Sequence, residues 1–72
     1  MSITMPTLEP LKLQDIPYAS KLRIETDKGL IGATFVKLDG LYSYCTFDNG
    51  DVFHLNRMTP LKLCDDGVYE IE

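Results

Sequence analysis

The chain has 72 residues and a mass of 8.2 kDa, which allows a single domain. It is 44% hydrophobic and 25% charged, an ordinary globular composition that argues against intrinsic disorder. No apolar run approaches the roughly 18 residues of a membrane-spanning helix, and the first residues lack the basic and apolar regions of a signal peptide. Two cysteines are too few for a disulfide scaffold, so we expect a reduced, cytoplasmic protein.

The net charge is −4, and it is unevenly distributed along the chain. Residues 1–38 contain five basic and four acidic side chains, whereas residues 39–72 contain two basic and seven acidic ones. Because an acidic protein is repelled by phosphate backbones, general nucleic-acid binding is disfavoured. The acidic half predicts either a solvated surface that keeps the protein soluble or a surface that docks on a basic protein site. A local basic strip is the alternative phosphate-binding site, formed by Lys21, Arg23, Lys28 and Lys37.

The first twenty residues predict an extended N-terminal arm that precedes the main domain at 21–72. They contain three of the four prolines, and one helical turn fits near Leu13–Ile16. The arm also carries four apolar side chains, too many for a free tail: Leu8, Leu11, Leu13 and Ile16. We therefore expect part of the arm to pack on the main domain or on a neighbouring subunit.

Turn signals divide residues 21–72 into short segments. Each signal places Asp or Asn one or two positions before a glycine, and these residue types tolerate or favour left-handed backbone. The signals are Asp27-Lys28-Gly29, Asp39-Gly40, Asp48-Asn49-Gly50 and Asp65-Asp66-Gly67. The segments between them are rich in β-branched and aromatic residues, which indicates short antiparallel strands. The strands that we expect are Lys21–Thr26, Leu30–Leu38, Leu41–Phe47, Val52–Leu55, Pro60–Cys64 and Val68–Glu72.

Hydrophobic periodicity supports an all-β chain. Lys21–Glu25 alternates strictly between polar and apolar residues, as a half-buried strand does. Leu30–Leu38 is apolar on both faces, which suits the central strand of a small barrel, and Gly32 and Ala33 would allow that strand to bend. The segment Leu55–Thr59 fits one turn of 3₁₀ helix. Together these patterns predict a small antiparallel barrel of five to six short strands.

Residues 21–64 resemble the Tudor-type version of the SH3-like barrel. The residues that carry the likeness are Gly29, Ala33 and Val36, the strand from Tyr42 to Phe47, the turn Asp48-Asn49-Gly50, and the apolar runs Val52–Leu55 and Leu61–Leu63. The resemblance implies five strands with a 3₁₀ turn before the last core strand. Tudor-like domains bind methylated lysine or arginine in an aromatic cage, where cation–π attraction selects the ligand. The run from Leu22 to Asp39 is similar to Sm-like barrels, which is the alternative resemblance.

Tyr42 and Tyr44 lie on the same face of one predicted strand. If Phe47 faces the core, both tyrosines face outward and form the kind of amphipathic patch that is enriched at protein interfaces. The opposite orientation would bury them. With neighbouring acidic residues that would steer a basic partner, the predicted partner-binding face consists of Tyr42, Tyr44, Tyr69, Asp39, Asp48 and Asp51.

The soft side chains do not form a recognisable metal or catalytic site. Cys45, Cys64 and His54 lack the close pairing of a structural zinc site. We expect the cysteines to be small apolar fillers and the histidine to be a surface or hydrogen-bonded residue.

The sequence therefore predicts a non-enzymatic protein-interaction module without catalytic residues, metal or cofactor. It would be an adaptor, or an inhibitor acting on a larger protein through an aromatic and acidic face. The alternative is a nucleic-acid or nucleotide-binding barrel of the Sm or Tudor type. A small core, an apolar arm and unpaired edge strands also favour a homodimer.

Overall fold

The computed structural model describes residues 11–72 and confirms an all-β fold. Its elements are β1 (Leu11–Lys12), a 3₁₀ helix (Leu13–Asp15), β2 (Lys21–Thr26), β3 (Gly29–Asp39), β4 (Tyr42–Phe47), β5 (Val52–Phe53), β6 (Pro60–Leu63) and β7 (Tyr69–Ile71). The strands form one sheet in the order β1-β6-β7-β2-β3-β4-β5. The pair β2 and β7 is parallel and the other neighbours are antiparallel. The sheet is therefore mixed, and its strand pairs do not close it into the antiparallel barrel that the sequence predicts.

The meander from β2 to β4 follows the predicted segments closely. β2 has the predicted bounds, and the ends of β3 and β4 differ from the prediction by one residue at most. The turns between these strands are short and contain glycine at positive φ, +100° at Gly29 and +64° at Gly40. Residues other than glycine rarely adopt such angles, so the signals Asp27-Lys28-Gly29 and Asp39-Gly40 correctly mark the hairpin turns.

A β-bulge in β3 brings its apolar side chains to one face. The pairing with β4 is irregular between Phe35 and Lys37, so that Val36 is the extra residue. One inserted residue reverses the alternation of side chains beyond it. Leu38 therefore packs against the core together with Phe35, although the two are three positions apart. The irregularity lies beyond the bend that the sequence predicts at Gly32 and Ala33.

The core lies on one face of the sheet, which we call the inner face. Its buried apolar side chains are Leu13, Ile16, Leu22, Ala33, Phe35, Cys45 and Leu61. Leu13 and Ile16 belong to the predicted arm, and the 3₁₀ helix at Leu13–Asp15 confirms the helical turn expected there. The described part of the arm is thus built into the core. The remainder of the predicted arm, including Leu8, lies outside the described residues.

The chain between β5 and β6 crosses from one edge of the sheet to the strand beside the opposite edge. We call residues 54–59 the crossing segment. On one side it bonds to β4 and its hairpin, because Leu55 O accepts from Ser43 N (2.7 Å) and Arg57 N donates to Leu41 O (2.9 Å). On the other side, Arg57 O accepts from Gln14 N (3.0 Å) in the 3₁₀ helix. The segment therefore connects the two ends of the sheet.

The predicted 3₁₀ turn over Leu55–Thr59 is wrong in detail. The structure has a hydrogen-bonded turn in which Thr59 N donates to Asn56 O (2.9 Å). The Asn56 side chain accepts a hydrogen bond from Met58 N (2.8 Å). Asparagine favours such side-chain-capped turns over helix because its amide satisfies the backbone locally.

Ser43 is the buried polar side chain that joins β4 to the crossing segment. Its hydroxyl oxygen accepts from Leu55 N (3.2 Å), and it lies 3.0 Å from Leu55 O and 3.2 Å from Cys45 Sγ. A serine has one hydroxyl proton to donate, so either the carbonyl or the sulfur receives it. The polar contacts make the burial of Ser43 tolerable.

Removing the Ser43 hydroxyl leaves Leu55 N without its hydrogen-bond partner in a part-buried position. We expect Ser43→Ala to lower the free energy of unfolding by about 1–3 kcal/mol, measured by urea denaturation. Ser20→Ala is the matched control, because the Ser20 hydroxyl donates to Pro17 O at an exposed position. The control should change stability by about 0.5 kcal/mol or less. Equal losses in the two variants would contradict the role of Ser43.

Leu13 tests whether the arm belongs to the core, since it is fully buried. Leu13→Ala should lower the free energy of unfolding by about 2–5 kcal/mol, the usual cost of a leucine-sized cavity. Leu63→Ala is the control, because this leucine is 56% exposed. A loss of less than about 1 kcal/mol for Leu13→Ala in thermal or urea unfolding would place the arm outside the cooperative unit.

Candidate functional site

β4 presents Tyr42 and Tyr44 on the outer face of the sheet, opposite the core. Ser43 and Cys45 are fully buried, and neighbouring side chains of a strand alternate between faces. Tyr42 is 53% exposed. Tyr44 is half-buried, and its ring meets the imidazole of His54 edge-on, with ring centroids 5.9 Å apart. Of the two orientations considered for these tyrosines, the structure has the outward one.

Of the three predicted acidic residues, Asp39 lies beside the tyrosines. It is exposed and is the direct cross-strand partner of Tyr42. Asp48 and Asp51 lie in the turn at the other end of β4, where Asp48 N donates to Gly32 O (2.9 Å). The structure therefore splits the predicted acidic rim between the two ends of the strand.

Tyr69 is separated from the other two tyrosines. It lies on β7, and the strands β2 and β3 stand between β7 and β4. Its register partner is the buried Leu22, and its ring packs against the core. Tyr69 thus contributes to the inner face, whereas Tyr42 and Tyr44 are on the outer face.

The alternative basic strip is interrupted at Arg23. The Arg23 guanidinium donates through Nη1 to Glu70 Oε2 (2.6 Å) and through Nη2 to Asp66 Oδ2. These hydrogen bonds are the main reason that the pKa values of Asp66 and Glu70 lie below their ordinary values. The same contacts raise the pKa of Arg23. The charge of Arg23 is therefore satisfied within the chain.

The three lysines of that strip are dispersed. Lys21 Nζ donates to Thr34 Oγ1 across β2 and β3 (3.1 Å). Lys28 is exposed in the turn between these strands, and Lys37 is the cross-strand partner of Tyr44. With Arg23 occupied, the structure does not bring the four basic residues together as one unpaired positive surface.

A groove of about 430 Å³ lies between the β2–β3 hairpin and β7, and we call it the acidic groove. It is lined by Arg23, Glu25, Leu30, Glu70, Ile71 and Glu72. Leu30 is 58% exposed. Sequence reasoning missed this site because it depends on the parallel pairing of β7 with β2. One local signal was present, since the hairpin turn at Gly29 places Leu30 directly opposite Glu25.

The end of the β3–β4 hairpin carries a second surface, which we call the hairpin patch. It consists of Leu41, Tyr42 and Met58, which are 69%, 53% and 49% exposed. The backbone bridge between Tyr42 and Asn56 and the bond from Arg57 N to Leu41 O hold the hairpin against the crossing segment. Only Tyr42 was predicted from the sequence. Leu41 follows a turn glycine and Met58 lies in a turn, so their exposure could have been inferred from the turn signals.

His54 and Cys45 have structural contacts. His54 Nδ1 lies 2.9 Å from Ser43 O, and because a carbonyl only accepts, Nδ1 carries a proton there. This confirms the expected surface, hydrogen-bonded histidine. Cys45 is buried, and burial raises the pKa of its thiol, the opposite of an activated nucleophile. Within residues 11–72, no group of three or more His, Cys, Asp or Glu side chains is placed to hold a metal ion.

Compared with protein-family models, with curated proteins and with solved structures, the chain matches none. No helix in residues 11–72 has the length and apolar character needed to cross a membrane.

The ion pairs of Arg23 predict a loss of stability in acid. The ordinary pKa values are 3.8 for Asp66 and 4.5 for Glu70, and both are lower in the folded chain. Their stabilisation is therefore complete above these ordinary values and is lost as the pH falls through the lowered ones. We expect the temperature of the unfolding midpoint to decrease as the pH is lowered from about 5 to about 2. Arg23→Gln should reduce this dependence of the midpoint on pH, as followed by circular dichroism.

Lys21→Gln is the control for the acid experiment. It removes a positive charge from the same face of the same strand, but Lys21 donates to a hydroxyl rather than to a carboxylate. It should retain the pH dependence of the wild type. An unchanged pH dependence in Arg23→Gln would show that the ion pairs do not contribute to stability.

Proposed function

We propose that this chain is a non-enzymatic protein-interaction module, an adaptor or an inhibitor, that docks on a larger protein through the hairpin patch. The observation that carries the proposal is the exposure of Leu41, Tyr42 and Met58, which are 69%, 53% and 49% exposed on two backbone segments joined by the bond from Arg57 N to Leu41 O. Single exposed apolar side chains are ordinary on protein surfaces, whereas several gathered at one end of a sheet favour an interaction site. Tyr42 is suited to the centre of such a contact because tyrosine offers a large area with little rotamer entropy to lose.

The backbone under the hairpin patch supports the same conclusion. Arg57 donates from its backbone to Leu41 O (2.9 Å) and from Nη1 to Gly40 O (3.3 Å). These bonds hold the backbone of the hairpin end against the crossing segment before a partner arrives. A surface that is already ordered loses less conformational entropy on binding. Asp39 and Lys37, opposite Tyr42 and Tyr44, would act at the rim and steer association rather than add much affinity.

The proposal includes the SH3-like, Tudor-type resemblance of the fold. It is supported by the meander from β2 to β5 and by the irregular segment that crosses to β6, the order such barrels use. The parallel strand β7 departs from that pattern. The alternative function, phosphate binding by the basic strip, has less support because Arg23 is held by Asp66 and Glu70.

Truncation of Tyr42 tests the proposal. Tyr42→Ala should weaken partner binding by about 2 kcal/mol or more, as expected for an interface anchor. Its thermal midpoint should stay within a few degrees of the wild type, because half of the side chain is already exposed. A collapse of the fold in this variant would show instead that Tyr42 is a core residue.

The partner can be sought by affinity capture from the source organism with three baits in parallel. The baits are the wild type, the double variant Leu41→Ala/Tyr42→Ala and the control Leu63→Ala, in which an equally exposed leucine on β6 is truncated. A partner of the hairpin patch is retained by the wild type and the control and lost by the double variant. A partner retained equally by all three contradicts the proposal. A protein that sediments as a dimer and becomes monomeric in the double variant would assign the patch to self-association.

A further inference from the structure

The end of β2 has an open edge beside the acidic groove. β7 pairs with β2 at Leu22 and Arg23, whereas, among residues 11–72, the last residues of β2, from Ile24 to Thr26, pair with β3 alone. The end of β7 stays bonded to β6, because Glu72 N donates to Pro60 O (3.0 Å). A strand edge without a neighbour presents backbone N–H and C=O groups to which a further strand can add.

The two faces at this edge differ in charge, although the outer face also carries the exposed Leu30 opposite Glu25. On the outer face, the groove carries the carboxylates of Glu25, Glu70 and Glu72. On the inner face, Ile24 packs against the core. Ile71, the register partner of the buried Leu61, is 40% exposed and also lines the groove. Because side chains alternate along a strand, an added strand would direct every second side chain to the acidic face and the others to the apolar one.

Within residues 11–72, one of the three groove carboxylates, Glu70, is paired with a basic side chain, and the other two are not. Arg23 supplies the positive charge of the lining, and it already bonds to Glu70 and to Asp66. Glu25 and Glu72 are exposed and have no ion-pair partner among residues 11–72. A basic side chain of a ligand would find an unpaired carboxylate at each of these positions, and an acidic one would be repelled.

We propose that the edge at Ile24–Thr26 binds a segment of a partner protein in which basic and apolar residues alternate, added as a strand. The basic side chains face Glu25 and Glu72, and the apolar side chains face Ile24 and Ile71. Backbone bonds supply affinity in this mode, and the alternate side chains supply specificity. This surface shares no residue with the hairpin patch, so its failure and the failure of the proposed function are distinguishable.

The probe is the blocked, fluorescently labelled peptide Lys-Val-Lys-Val-Lys-Val-Lys, with binding followed by fluorescence anisotropy and by amide chemical shifts. We expect shifts at Ile24–Thr26 and Glu72. Two further peptides separate the contributions. The block order Lys-Lys-Lys-Lys-Val-Val-Val keeps composition and charge without alternation, and a version N-methylated at every residue cannot donate backbone hydrogen bonds from either edge. Each should bind at least about tenfold more weakly than the alternating peptide.

The protein variant is Glu25→Gln/Glu72→Gln, which should weaken binding by at least about tenfold. Its matched control is Asp51→Asn/Asp65→Asn, which removes the same charge from two exposed turn positions and should bind within about twofold of the wild type. Equal weakening in both variants, or equal binding of the block-order peptide, would reduce the effect to general charge attraction and overturn the proposal. Undiminished binding of the N-methylated peptide, shifts located elsewhere, or no binding of the alternating peptide would also overturn it.

Discussion

Among residues 11–72, the strand pairs do not close the sheet into a barrel, and the backbone of Arg57 joins its two ends. Its N–H donates to Leu41 O on the hairpin, and its C=O accepts from Gln14 N in the 3₁₀ helix. Its side chain repeats the connection, bonding to Gln14 Oε1 (2.8 Å) and to Gly40 O (3.3 Å). Open edges expose both backbone groups and the flank of the core. Because the crossing segment bonds to both ends, the arm is held where Leu13 and Ile16 can be buried against the sheet.

The same contacts would separate the proposed binding at the hairpin patch from the stability of the fold. Arg57 fixes the carbonyls of Gly40 and Leu41, so a change at Arg57 would loosen the fold and the hairpin patch together. Tyr42 uses that support without providing it, since its side chain is on the outer face and half exposed. When the side chains of a binding surface are positioned by the scaffold but do not stabilise it, they can be substituted without loss of the fold. This is the arrangement expected of a small interaction module, in which a rigid scaffold positions the contact residues.

Local rules predict most of the meander, and non-local pairing limits the rest. The short turn at Gly40 fixes the hairpin register, so the juxtaposition of Tyr42 and Asp39 follows from the sequence. The bulge at Val36 cannot be predicted in this way, because the side chains of an apolar run fit either face of the sheet until the packing is known. Tyr69 was misplaced for a similar reason: nothing near it in the sequence shows that β7 runs parallel to β2. The ion pairs of Arg23 span 43 and 47 residues, beyond the reach of any local pattern.

The uneven charge of the chain has a spatial consequence that the linear sequence conceals. Glu70 and Glu72, from the acidic half, are brought by β7 to the side of β2, where Glu25 already lies and Arg23 is occupied. Negative charge therefore gathers at the open edge of β2. Unprotected edges invite pairing between copies of a chain, and charged side chains are a common means of preventing it. Two copies meeting at this edge would bring like charges together, whereas a basic strand would be attracted. The charge that discourages self-pairing would therefore also select the proposed partner strand, since specificity needs repulsion of the wrong strand as well as attraction of the right one.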